Sequence, residues 1–163
     1  MRRPASMRFA AGMSVFPGGA AEPGESVAEA AVRETYEETG VQLEVDDLRP
    51  WSRWITPESE RMRFDTWFFV APLPAGEEPK LLVGEAEDAG WFGATDAVQA
   101  AQSGSLPLMP PTVVTLHQVA RFETVDAVVG AAPREHGRPI QPRLVREGDT
   151  VRFEGLEGVD LPW

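Results

Sequence analysis

The sequence predicts an α/β or α+β sandwich built as one domain. Segments with strand chemistry alternate with segments of helical periodicity, the pattern of helices packed against a sheet. A length of 163 residues, 42% of them apolar, suffices for one sizeable core. No internal repeat or low-complexity tract competes with that reading. The expected domain is residues 1–163, with 134–163 as a strand-rich C-terminal extension.

From the N terminus, Arg8 to Phe16 is apolar-rich and extended, and Pro17-Gly18-Gly19 ends it in a turn. Ser26 and Glu29 then form a capping box, helix formers run to Thr39, and Gly40 suits the left-handed position after a helix. Trp51 to Ile55 and Phe64 to Ala71 read as strands, the second stopped by Pro72 and Pro74. A polar stretch from Pro74 to Pro79 precedes Lys80 to Val83, and Gly90-Trp91-Phe92 begins another short ordered piece. Asp96 is placed to cap a short helix. Pro110-Pro111-Thr112 punctuates before a helical pattern from Val113 to about Phe122, and Val125 to Ala131 continues it or forms a second helix. Leu144-Val145 and Val151 to Phe153 flank Glu147-Gly148-Asp149 as a hairpin.

Composition excludes several classes of function. The net charge of −11, with no segregated Lys/Arg cluster, argues against nucleic-acid partners. No run reaches the roughly eighteen apolar residues of a membrane span, and Met1-Arg2-Arg3-Pro4 leads into no signal-like segment, so a soluble cytoplasmic protein is expected. The absence of cysteine removes disulfides, thiol nucleophiles and thiolate metal sites. Any metal must therefore sit on oxygen, or on His117 and His136; both histidines read more readily as structural or exposed than as catalytic.

The chemistry concentrates on the first helix. Glu34, Glu37 and Glu38 are three and four residues apart, so their carboxylates share one side, along the edge of a stripe made by Ala28, Ala31, Val32 and Thr35. Like charges so placed repel, and a hard divalent cation turns that cost into a gain. Three glutamates alone would read more readily as a solvated helix face. Their surroundings decide: Gly19, five residues, Glu25, seven residues, then Arg33-Glu34-Thr35-Tyr36-Glu37-Glu38-Thr39-Gly40-Val41 resembles the Nudix box. Thr35 stands where that pattern usually has an aliphatic residue.

The resemblance implies a Nudix-type α/β/α sandwich around a central mixed sheet, with the box as loop, helix and loop. It implies a Mg²⁺-dependent hydrolase, with Mn²⁺ as a substitute, cleaving a diphosphate linkage in a nucleotide-like small molecule. Carried over by position, the metal ligands are Glu34, Glu37 and Glu38, assisted by a carbonyl at Gly18 or Gly19. Arg33 orients a box glutamate, and Glu25 ties the loop to the helix. A further acid outside the box, Glu85 with Glu87 and Asp88 as rivals, serves as ligand or general base.

Substrate choice lies outside the box. Arg8, three residues, Gly12, three residues and Phe16-Pro17-Gly18-Gly19 resembles the end of the signature preceding the box in coenzyme A diphosphatases, with Arg2 at its first arginine but Arg3 and Pro4 replacing small polar residues. Coenzyme A or its thioesters therefore head the expected substrates, with Arg8 as a binding residue; ADP-ribose, NADH and nucleoside triphosphates compete. Trp51, Trp54 and Trp91 offer faces for a base or fill the sheet core, and Trp54 is the one assigned to substrate. The box begins early, so the N-terminal strands are short or missing, and an uncovered edge predicts a homodimer. A non-catalytic metabolite-sensing module is the rival class; an intact set of charged box positions favours an enzyme.

Overall fold

The computed structural model describes residues 1–6, 10–80, 89–147 and 150–156. In chain order these carry helix α1 (Val27–Thr39), a 3₁₀ turn (Val45–Asp47), strands β1 (Arg49–Ile55) and β2 (Asp65–Val70), helices α2 (Ala94–Gln102), α3 (Pro110–Val119) and α4 (Val125–Ala131), and strands β3 (Arg143–Glu147) and β4 (Thr150–Glu154). Helices and strands are mixed along the chain, as an α+β class requires.

Helix α1 forms where its local signals place it. The Glu29 amide donates to Ser26 Oγ at 3.2 Å, and the Ser26 amide donates to a Glu29 carboxylate oxygen at 2.8 Å, so two otherwise unpaired donors are satisfied reciprocally. At the far end Gly40, at φ 72°, donates its amide to Tyr36 O. Thr35 is half-buried and turns its hydroxyl back to Ala31 O at 2.7 Å, which disposes of its polar atom inside the helix's own ladder.

Strands β1 and β2 pair antiparallel, with a register shift between Pro50 and Ser52 that accommodates the proline. Residues opposite each other share a face, so Ser52 with Phe68 and Trp54 with Thr66 form one side of this ribbon. That side is the core: Ser52 and Trp54 are buried, and Phe68 meets Phe16 edge-to-face at 6.3 Å. On the other side Arg53 forks onto Asp65 and lies 4.3 Å over the Trp67 ring. His136 packs edge-on against Trp67 and Phe69, and its Nε2 lies 2.9 Å from Phe68 O. Beyond it, Ile140 bridges the outer edge of β1, donating to Arg53 O and accepting from Ile55. Both faces of the ribbon thus carry packing partners and Ile140 lies on one edge, while Asp65 and Thr66 at the start of β2 stay exposed.

Helices α2 and α3 pack on one another and supply Ala97, Val98, Val113 and the most deeply buried side chain of the core, Val114. Trp51 joins this layer to β1 by donating its indole N–H to Gln118 at 2.9 Å.

Several boundaries differ from the sequence expectation. The segment expected as extended from Arg8 to Phe16 is not a strand where it is described: Ser14 makes single bridges, antiparallel to Arg2 and parallel to Leu108, while Met7, Arg8 and Phe9 lie outside the described residues. Helix α2 is capped at Gly93, and Asp96 sits inside its first turn. Helix α3 begins at Pro110, because a proline in the first turn loses no intrahelical hydrogen bond. Residues 125–131 form a separate helix, capped by Thr124 Oγ1 on the Ala127 amide. The expected hairpin forms as β3–β4, with Gly148 and Asp149 outside the described residues. Among the described residues, no helix is long and apolar enough to cross a membrane.

Candidate active site

The site is built where the Pro17–Ala20 loop crosses the acidic edge of α1. Arg33 is its hub. Nε and Nη2 donate to the two oxygens of Glu25 at 2.9 and 3.0 Å. Nη1 donates to Glu34 at 2.9 Å and to Glu37 at 3.2 Å, and Nη2 also reaches Ala20 O at 3.1 Å. One planar guanidinium therefore ties the loop before the helix to two carboxylates on the helix. Glu25 receives a further bond from the Glu22 amide, which closes the intervening turn.

The loop answers with its two glycines. The Gly18 amide donates to Glu38 Oε2 at 2.8 Å, with Gly18 at φ 152°, a backbone region that side chains rarely adopt. Gly19 has no such conformational demand. A Cβ there would overlap the Glu34 carboxylate, so the hydrogen of Gly19 leaves room for that group. Phe16, packed on Phe68, anchors the loop on the ribbon, and Arg33 holds its other end through Ala20 O.

Electrostatics follow from these contacts. Hydrogen bonds from Arg33, and secondarily from the Glu22 amide, hold the Glu25 carboxyl below its ordinary value of 4.5. The same bonds to Glu25 and Glu34 raise Arg33, which is charged at any working pH. Glu34 is largely covered, its side chain 15% exposed, whereas Glu37 is open to solvent.

The donors are all oxygen, and three carboxylates line one edge of a helix beside a loop rich in backbone groups, which is the chemistry that suits a hard divalent cation. Among the described residues no three acidic or histidine side chains converge on a single point; Glu34 and Glu37 turn to Arg33, and Glu38 turns to Gly18. The set fits such a cation in residue type and in its shared edge of α1.

The chain matches the NUDIX domain family over residues 1–110, two thirds of its length. It belongs to the Nudix family. Over 117 residues it is 32% identical to the NAD-capped RNA hydrolase NudC of Chromobacterium violaceum, an overlap of 71% of this chain and 38% of that protein. It is 25% identical to putative nudix hydrolase 7 of Caenorhabditis elegans, over 77% of this chain and 56% of that one. The chain thus spans 38% to 56% of the length of these two curated relatives. Among solved structures it resembles the NUDIX hydrolase from Alicyclobacillus acidocaldarius, with a TM-score of 0.72 at 27% identity, covering 82% of this chain and 87% of that one.

Of the residues singled out from sequence, the structure brings together Gly18, Gly19, Glu25, Arg33, Glu34, Glu37 and Glu38. Arg8, Glu85, Glu87 and Asp88 lie outside the described residues. Trp54 is a correction. It is 4% exposed, with its indole N–H on Ser52 Oγ, and so belongs to the core instead of offering a face to a base. Trp51 is likewise engaged, with Gln118 and Phe122, while Trp91 is 75% exposed. The sequence reading missed the Gly18 amide and the Ala20 carbonyl; the Pro17-Gly18-Gly19 turn signals a tight loop but not which backbone atoms it aims at the helix.

Proposed function

We propose that the chain is a divalent-cation-dependent hydrolase that cleaves a diphosphate linkage in a nucleoside diphosphate derivative, with Mg²⁺ as the preferred ion and Mn²⁺ as a substitute. The observation that carries this reading is the loop-and-helix arrangement of Glu34, Glu37 and Glu38 around Arg33 in a chain of the Nudix family. Glu34, Glu37 and Glu38 hold the ion, with a carbonyl from Gly18 or Gly19. When bound, such an ion supplies neutralisation of phosphate charge and activation of water for attack at phosphorus. Arg33 holds the Glu34 and Glu37 carboxylates by hydrogen bonds, and Glu25 fixes Arg33 against the loop. The general base falls to Glu85, with Glu87, Asp88 or a box glutamate as alternatives.

Coenzyme A or its thioesters lead the substrates on the Arg8 to Gly19 spacing, with Arg8 contacting substrate. The name of the Chromobacterium relative puts an NAD cap in its substrate, which supports NADH-type dinucleotides and ADP-ribose as the second reading. Residues 1–163 act as one cytoplasmic domain extended by 134–163, and the far edge of β2, which pairs with no further strand among the described residues, supports a homodimer. A stable monomer by light scattering at micromolar concentration removes the dimer.

The test is a hydrolysis screen with Mg²⁺ over coenzyme A, acetyl-coenzyme A, ADP-ribose, NADH and nucleoside triphosphates, with products resolved by chromatography. Release of 3′-phospho-AMP from coenzyme A supports the first substrate, and selective cleavage of NADH or ADP-ribose supports the second. No turnover by folded, Mg²⁺-loaded protein favours a sensing module.

A further inference from the structure

Arg33 has five N–H donors, and the structure accounts for all of them: two on Glu25, one each on Glu34 and Glu37, and one on Ala20 O. Glu38 lies on the same edge of α1 yet receives none of them. Its Oε2 accepts instead from the loop, through the 2.8 Å bond from the Gly18 amide. We propose that Gly18 is the positioning residue for Glu38, a duty separate from that of Gly19, which makes room for Glu34. This rests on the reading of Glu38 as a cation-holding group.

The backbone supports the division. A Cβ at Gly18 would meet nothing within 4 Å, so glycine is not required there for space. It is required for φ 152°, the conformation that aims this amide at the helix. At Gly19 the reasons are reversed: the conformation is ordinary and the space is taken by the Glu34 carboxylate. The loop between the Phe16 and Ala20 anchors is short, so the amide is held where the carboxylate must come to it. A charge-assisted bond holds the accepting oxygen in place, and that leaves Glu38 partly pre-oriented when an ion is bound.

Amide hydrogen exchange by NMR on the intact chain tests this, in EDTA and during Mg²⁺ titration, for wild type, Glu38→Ala and Gly18→Ala. The expected result is a Gly18 amide exchanging about tenfold or more slowly in wild type than in Glu38→Ala, as loss of a bond to a charged group implies. Protection persists as Mg²⁺ shifts the α1 resonances. Gly18→Ala keeps its helical circular dichroism and binds Mg²⁺ about tenfold more weakly by calorimetry, the cost of one charge-assisted bond. A Gly18 amide that exchanges freely in EDTA, or that loses protection as Mg²⁺ binds, overturns the positioning role while leaving the metal reading intact. No Mg²⁺-induced shift anywhere in α1 overturns the metal reading, and Gly18 then has only a structural bond.

Discussion

Gly19→Ala is the most direct probe of how loop and helix fit. The added methyl overlaps the Glu34 carboxylate, which lies at the end of a flexible side chain and can rotate away. The cost is therefore not a rigid clash but the loss of Glu34's bond to Arg33, made at a mostly covered position. That bond joins two charged partners, and the covered position of Glu34 keeps it from being fully screened by solvent. In a Glu34→Ala background the obstruction is gone, and Gly19→Ala should be neutral or stabilising by up to about 1 kcal/mol, because alanine restricts the unfolded chain. Urea denaturation followed by tryptophan fluorescence gives the four stabilities of this double-mutant cycle, with a predicted coupling of roughly 1–3 kcal/mol. An equal cost of Gly19→Ala in both backgrounds refutes the assignment of Gly19's role to Glu34. Gly18→Ala serves as the contrast: its cost, about 1–3 kcal/mol from backbone strain, should not depend on residue 34.

The Glu25 contact carries a pH signature. Its carboxyl is held below 4.5, so its stabilisation is complete above that value and is lost as pH falls through the lower, folded value. The stability difference between wild type and Glu25→Gln should therefore shrink below about pH 4.5, and a difference that grows on acidification would show that the ion pair has been misread. Trp54→Ala should destabilise the fold by about 3–5 kcal/mol through its cavity. Trp54→Phe should retain substrate KM within about twofold, as expected of a core residue; a tenfold rise in KM, about 1.4 kcal/mol of lost uniform binding, would return Trp54 to the binding site.

What the sequence disclosed was what local chemistry encodes. Helix α1 was legible because Ser26, Glu29 and Gly40 lie within a few residues of the groups they satisfy. The same holds for Glu34, Glu37 and Glu38, whose common side is fixed by helical geometry. Trp54 was misassigned because burial of β1 depends on distant partners: the core lies under one face, and residues 136–140 cover the other face and the edge. No periodicity in β1 announces that Ile140 will bridge its edge beside Trp54. The first turns of α2 and α3 were misplaced for a smaller reason: Gly93 is a weaker cap signal than Asp96, and Pro110-Pro111 reads as a break before a helix although both residues fit its first turn. The Gly18 amide was invisible because every residue but proline has one, and only the fold decides where it points.

The central claim is that the carboxylates of α1 make this chain a metal-dependent diphosphate hydrolase. It is tested most directly by measuring initial rates of wild type and Glu38→Gln on the best substrate of the screen, each with Mg²⁺ and with EDTA. The account predicts turnover by wild type with Mg²⁺ alone, and a fall of roughly a hundredfold or more in Glu38→Gln with its circular dichroism unchanged. Turnover that survives EDTA, or a Glu38→Gln rate near that of wild type, would contradict it.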